Sequence, residues 1–288
     1  MKVALIVPTF NRSQILMNLV SYIENQTVKP ELFIVVNDGS TDNTSELLAA
    51  HPMVTELKGD GNLWWTGSVN LGIKYVLDNH PEIDHIILQN DDVIIADDWL
   101  ETLIKVGEQN PKALVGCAAV DYRDKQSITY AGKYTNSWFA FNKFVYKGKK
   151  LDEIDRELPI YPFDLIGRGI LIPVEVFHKI GLFDAEHFKH RGDTELPLRA
   201  RKAGYKLILS FKPLVFEMPD KTHGVDIKQK YTFKDVKPFF WDFRSSTYIK
   251  YRFYYSRIVA DNPLQFVTFF TFSLMAHSRK FLRRFKLV

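Results

Sequence analysis

The sequence predicts an α/β fold, a mostly parallel sheet flanked by helices and followed by a basic, mostly helical C-terminal extension. Three observations carry this. Short apolar runs alternate with helical periods over the first 120 residues. Polar clusters fall just after those runs, at Thr9-Phe10-Asn11-Arg12, Asn37-Asp38 and Asn90-Asp91-Asp92. Charge is split: residues 244–288 hold nine Lys/Arg against Asp261 alone, while the remainder holds 29 basic residues against 33 acidic ones.

Each element follows in order. Val3–Val7 reads as a buried first strand, and a helix after Asn11-Arg12-Ser13 sets Ile15, Leu16, Leu19, Val20 and Ile23 on one face. Leu32–Val36 is a second strand, with Asp42 placed to cap a helix over 44–50. A Gly-rich turn, Gly59-Asp60-Gly61-Asn62, precedes Trp64-Trp65 and a helix to Asp78. His85–Leu88 is a strand, Asp98 and Glu101 form a capping-box pattern for a helix over 99–108, and Leu114–Ala119 is a further strand. Residues 120–165 are irregular and suit antiparallel strands around a loop. Short helices over 173–180 and 194–203 follow, with strand-like runs at 205–210 and 214–216. The division falls at residues 1–225 for the α/β body and 226–288 for the extension.

Composition excludes several classes. At 46% hydrophobic and 25% charged, the 288 residues are not a disordered chain. A single cysteine, Cys117, rules out a disulfide framework and a cysteine-based zinc site, and fits a reducing cytoplasm. The N-terminal apolar run is too short for a secretory signal, and no apolar stretch is long enough to span a bilayer. The net charge of +4 would suit nucleic acid if it were diffuse. It is concentrated beside an apolar, aromatic run, so an anionic membrane surface reached through 263–288 is the better partner. A helix covering its own domain and a contact between two copies are the alternatives.

In a parallel sheet, ligands sit beyond the carboxyl ends of the strands, where these polar clusters fall. Adjacent carboxylates at Asp91 and Asp92 are hard oxygen ligands suited to Mg²⁺ or Mn²⁺, which leave coordination sites for phosphate oxygens; a solvated turn is the plain alternative. Asp38 in Asn37-Asp38-Gly39-Ser40 serves either a turn or a nucleobase N–H. Asp60, Asn62, Gly67 and Asn70 mark a turn where backbone can approach a ligand, although no P-loop ending is present. Trp64 and Trp65 stack on a sugar or base, or pack internally. Asp193 and Glu195 offer a general base, or a helix cap in the case of Asp193. His223 is a metal ligand only if its segment folds back to Asp92.

Taken in order, VPTFNR (7–12), VVNDGSTD (35–42), GNLWWTGSVNLGI (61–73), LQNDDV (88–93), GRGILIP (167–173) and IGLFDAEHFKHRGDTELPLRARKAGY (180–205) resemble family 2 glycosyltransferases with a GT-A fold. The likeness covers residues 1–225 and is nearest the rhamnosyltransferase-like branch. It implies a Rossmann-like nucleotide-binding sheet. It also implies inverting transfer of a sugar from a nucleotide-diphosphate donor, dTDP-rhamnose or a UDP-sugar, to a glycan or lipid-linked acceptor in bacterial polysaccharide synthesis. Pro8, Thr9, Phe10, Asn11, Arg12, Asp38 and Gly39 then fall where the nucleotide is held, with Asp60, Asn62, Trp65, Gly67 and Asn70 beside it. Asn90-Asp91-Asp92 matches the metal motif with Asn at its first position, which makes Asp92 the main metal contact, followed by Asp91 and His223. The family's Glu-Asp pair reads Gly192-Asp193 here, so Asp193 is the catalytic base and Glu195 the reserve. A cytoplasmic enzyme resting on the inner membrane face follows from the tail.

Two rivals stand beside this. A sugar nucleotidyltransferase shares α/β sheets and Mg²⁺, but its Gly-rich basic loop is missing from Thr9-Phe10-Asn11-Arg12-Ser13-Gln14. An inactive nucleotide-sugar-binding scaffold is kept open by Asn90 and Gly192. Donor, acceptor, linkage and oligomeric state, a homo-oligomer included, are not readable from one sequence.

Overall fold

The computed structural model describes residues 1–217 and 230–285. Its centre is a nine-stranded mixed sheet in the order β3-β2-β1-β4-β10-β6-β11-β5, with β7 paired to β6. The strands are β1 (Val3–Thr9), β2 (Leu32–Asn37), β3 (Val54–Lys58), β4 (His85–Leu88), β5 (Ile94–Ile95), β6 (Ala113–Asp121), β7 (Ile128–Tyr130), β10 (Ile170–Pro173) and β11 (Lys206–Glu217). A separate antiparallel pair, β8 (Lys133–Asn136) and β9 (Phe141–Phe144), sits in the irregular region.

The first half of the sheet is parallel as predicted, with β3-β2-β1-β4 all in one direction. The second half is mixed, with β6 and β11 parallel to each other. β10 runs antiparallel to both β4 and β6, and β5 runs antiparallel to β11. Three strands, β3, β5 and β10, had no strand signal of their own. β3 is only partly buried and mixes polar with apolar residues, and β10 is hidden inside the Gly-Arg-Gly-Ile-Leu-Ile-Pro run. The two strand-like runs at 205–210 and 214–216 are one strand, β11, with a register shift between Ser210 and Leu214.

Strand alternation sends β1 side chains to two cores. Ala4 and Ile6 join the core beneath α3 (Trp64–Asn79), α5 (Val174–Ile180) and α6 (Glu195–Lys202). Val3, Leu5 and Val7 join the core beneath α1 (Ser13–Glu24) and α4 (Trp99–Glu108). Each fully buried Leu or Ile contributes about 1.5–3 kcal/mol. Helix α1 buries Leu16, Leu19, Val20 and Ile23, whereas Ile15 turns outward at 41% exposure. The short α2 covers Thr44–Leu48. The capping box expected at Asp98 is not formed. Asp98 makes no side-chain cap bond, and the Glu101 carboxylate instead takes Thr27 Oγ1 at 2.8 Å and Lys105 Nζ at 2.6 Å.

Beyond residue 230 the chain forms α7 (Val236–Trp241), α8 (Ile249–Val259) and α9 (Pro263–Leu282). Asn262 caps α9 by accepting from Gln265 N, and Pro263 occupies its first turn. Helices α8 and α9 pack on the body through Tyr255, Val259 and Phe269, against Phe163, Phe188 and Leu198. Part of the extension thus covers its own domain. No helix among the described residues is long and apolar enough to cross a membrane.

Candidate active site

The carboxyl ends of β1, β2 and β4 converge as the sequence predicts, and hydrogen bonds weld them together. Thr9 Oγ1 donates to Asp91 Oδ2 at 2.8 Å. Arg12 Nη1 reaches Asp91 Oδ1 at 3.0 Å and Asp92 Oδ2 at 3.3 Å. Burial works against the Arg12 charge, but Asp91 and Asp92 outweigh it and its pKa rises. Burial pushes the Asp91 carboxyl up, opposed by Arg12 and Thr9. Pro8 pairs with Val36 inside the sheet, and Phe10 projects from its end at 50% exposure. Asn11, with φ of 50°, accepts from Thr41 N at 2.7 Å while its own N–H donates to Ser40 Oγ. Asp42 ties the same loops, accepting from Ser13 N at 3.0 Å and Thr44 N at 3.1 Å.

Asp38 is buried and its oxygens are already engaged. It accepts from the backbone N–H groups of Gly61, Leu63 and Trp64 at 3.0, 3.2 and 2.8 Å. In this structure it anchors the 59–64 turn, where the sequence left it open to a nucleobase. Gly39 has φ of 72°, and a Cβ there would lie 2.7 Å from Gly61 N, so only glycine lets the two turns meet. Asp60 Oδ1 accepts from Asn62 N at 2.9 Å, and Asn62 Oδ1 accepts from Lys189 Nζ at 2.7 Å. Gly67 lies in α3 against Leu63. Asn70 clasps Phe183, donating to its carbonyl at 2.8 Å and accepting from its N–H at 3.0 Å, so its amide is spent on packing.

Trp65 donates its indole N–H to Asn90 Oδ1 at 3.1 Å and lies edge-on to Phe183. Its ring is half-buried and packs against the core beneath α3. A carboxamide at position 90 therefore has a partner within the protein. Trp64 lies edge-on to His190 and Phe243.

Asp193 precedes α6, where Thr194 takes the N-cap place. Burial pushes the Asp193 carboxyl up and Asp164 adds to the rise, while the Gly167 N–H, Arg168 and Arg191 oppose it. Glu195 is fully buried and committed elsewhere. Its oxygens take Asp184 N at 2.7 Å and Arg199 Nε at 2.7 Å. The missing acid before Asp193 has a steric cause: a Cβ on Gly192 would stand 2.3 Å from Thr66 Oγ1. His223 lies outside the described residues.

Several site residues carried no sequence signal. Arg168 ion-pairs with Glu217 and lies over the Tyr130 ring, 5.8 Å from its centroid. Burial lowers its pKa, opposed by Tyr130, Asp193 and Asp92. Asp164 is buried, with Lys133 Nζ at 2.9 Å and the Tyr255 hydroxyl at 3.1 Å on its Oδ2. Among the described residues its Oδ1 and the Tyr130 hydroxyl have no hydrogen-bond partner.

The profile of Glycosyl transferase family 2 matches residues 4–181, the segment that carries the cluster at the carboxyl ends of β1, β2 and β4. The chain belongs to that family. A curated relative, the O-antigen chain rhamnosyltransferase RfbN of Salmonella typhimurium, is 32% identical over 106 residues. That match covers 36% of this chain and spans 32% of the relative's length. Among solved structures, the mannosyltransferase PcManGT of Pyrobaculum calidifontis, in complex with GDP-Man and Mn²⁺, aligns with a TM-score of 0.61 at 14% identity. It covers 98% of this chain and 72% of its own. GalNAc-T7 with UDP, GalNAc and Mn²⁺ aligns at 0.60 with 14% identity, over 96% of this chain and 55% of its own. S. aureus TarS aligns at 0.54 with 14% identity, over 75% of this chain and 36% of its own. These neighbours share the GT-A fold with this family 2 chain.

The donor set for a divalent cation is small. No group of three His, Cys, Asp or Glu side chains among the described residues is arranged to hold a metal. Asp91 is buried, with Thr9 on its Oδ2 and Arg12 on its Oδ1. Asp92 is 30% exposed, and among the described residues only its Oδ2 is engaged, by Arg12. One exposed carboxylate fits Mg²⁺ or Mn²⁺ when phosphate oxygens supply further ligands.

Proposed function

We propose that this glycosyltransferase transfers a sugar from a nucleotide-diphosphate donor, dTDP-rhamnose or a UDP-sugar, to a hydroxyl of a glycan or lipid-linked acceptor, with inversion. The observation that carries this is the cluster of Thr9, Arg12, Asp91 and Asp92 at the carboxyl ends of β1 and β4, inside the segment that the family 2 profile matches. The RfbN likeness supports the rhamnosyl alternative for the donor.

Asp193 takes the acceptor proton as the acceptor oxygen forms its bond to the anomeric carbon. The bond from that carbon to the diphosphate oxygen breaks, and the nucleoside diphosphate leaves with the electron pair. A raised carboxyl pKa suits the task, because a base nearer neutrality is the stronger proton acceptor. A divalent cation at Asp92 would offset charge on the leaving diphosphate. Pro8 to Arg12 and the 59–64 turn line the donor side, and the chain mainly aligns the reacting atoms. On α9, Leu264, Val267, Phe272, Met275 and Leu282 are exposed, and Arg279 and Lys280 lie in its last turn, a pattern that supports contact with an anionic bilayer.

The test is a thermal-shift series with UDP, dTDP, GDP and CDP, each with and without Mn²⁺ or Mg²⁺. A rise for one nucleotide, enhanced by metal and lost in Asp92→Ala, is expected. No rise with any of them counts against a nucleotide-sugar site.

A further inference from the structure

The loop leading to Asp193 and the C-terminal helices enclose a cleft of about 110 Å³. Lys189, Arg191 and Lys250 form its charged wall, with Phe243, Tyr248 and Tyr251 around them. Glu186 is the one carboxylate on that wall, and it faces His187 Nε2 at 3.6 Å. Among the described residues none of the three cations has a carboxylate at ion-pair distance, although Arg191 is near enough to Asp193 to oppose the rise of its pKa. Lys189 donates to the neutral Asn62, and Lys250 lies 6.0 Å from the Tyr254 ring centroid.

More positive charge stands behind this wall. Arg252 lies over Tyr251, 5.2 Å from its ring centroid, and its Nε is buried without a partner among the described residues. Burial, then Arg252 and Lys280, holds His277 at about 3. Burial, then Arg284, Arg252 and Arg191, lowers the Lys280 pKa. Like charges gathered beside a low-dielectric wall repel one another, and an anion seated among them relieves that repulsion. Arginine and lysine together suit phosphate oxygens. The position is also informative. Lys189 is bound to Asn62 of the donor turn, and Arg191 stands two residues before Asp193.

We propose that this cleft seats a phosphate ester on the acceptor side of Asp193, with Lys189, Arg191 and Lys250 as its charge partners. The acceptor role rests on Asp193 being the base, as set out above. The phosphate is carried either by the acceptor itself or by a bilayer headgroup.

The experiment is calorimetric titration of inorganic pyrophosphate into the full chain in metal-free buffer, with and without saturating UDP or dTDP. The variants are Arg191→Ala with Lys250→Ala, both exposed positions, and the charge-retaining Arg191→Lys as a folding control. Pyrophosphate should bind with the nucleotide in place, weaken at least about tenfold in the double variant, and be largely kept in Arg191→Lys. Unchanged affinity in the double variant overturns the proposal. Complete displacement by a nucleotide also overturns it, since the anion then belongs to the donor's diphosphate. Vesicles of phosphatidylglycerol and of phosphatidylcholine separate the two sources. Retention on phosphatidylglycerol alone, lost in the double variant and competed by pyrophosphate, assigns the seat to a headgroup. Pyrophosphate binding without retention assigns it to the acceptor. Failure of the full chain to consume any nucleotide sugar would instead strike the proposed reaction and leave this binding result standing.

Discussion

The hydroxyl of Tyr255 donates to Asp164 Oδ2 across 3.1 Å, which ties the C-terminal helices to the neighbourhood of Asp193. Lys133 Nζ meets the same oxygen at 2.9 Å. Asp164 is 1% exposed, and after burial it is the largest influence raising the Asp193 pKa. The extension therefore helps to set the charge environment of the proposed base.

Asp164→Asn removes a like charge beside Asp193. The acid limb of kcat/KM for sugar transfer should move to lower pH, because Asp193 must be ionised to accept a proton. Tyr255→Phe should leave Asp164 in place and move the limb less. Matched pH–rate profiles check this. An unmoved limb in Asp164→Asn would show that Asp164 does not act on the base.

Asp193 should also cost stability. Its folded pKa lies above its unfolded value, so ionisation is disfavoured in the folded chain. Below the unfolded carboxylate pKa both states are protonated and nothing is lost. As pH rises through the folded pKa the penalty becomes complete. Asp193→Asn should therefore melt higher than the unaltered chain at pH 8, with a smaller difference at pH 4, as read by calorimetry.

Glu195 has a different duty from the reserve base that the sequence suggested. It is fully buried, and Arg199 also donates to the carbonyl oxygens of Ile180 and Leu182. Glu195→Ala breaks a buried pair and should cost about 3–5 kcal/mol. A clear fall in melting temperature at neutral pH is expected. A loss of activity with unchanged melting would return Glu195 to the chemistry.

The parallel half of the sheet was legible because β1, β2 and β4 are continuous apolar runs ending in polar turns. β10 was not, because pairing antiparallel between β4 and β6 is a tertiary choice with no local period. The ordered motifs located Arg12, Asp38, Asp91, Asp92 and Asp193, but not what their side chains would bond. Asp38 holds backbone N–H groups, Asn70 clasps Phe183, and Trp65 serves Asn90. Arg168, although inside the Gly-Arg-Gly motif, and Asp164, in the irregular stretch, were given no role, since each charge gains meaning only from partners distant in sequence, such as Glu217 and Tyr255.

The most direct test of sugar transfer with Asp193 as base is release of nucleoside diphosphate from dTDP-rhamnose and a set of UDP-sugars, with Mn²⁺ or Mg²⁺ present. The unaltered chain should consume one donor. Asp193→Asn should lower the rate by about 10²–10⁴-fold while keeping the nucleotide-dependent rise in melting temperature. Full activity in Asp193→Asn, or no donor consumed by the folded, unaltered chain, would contradict it.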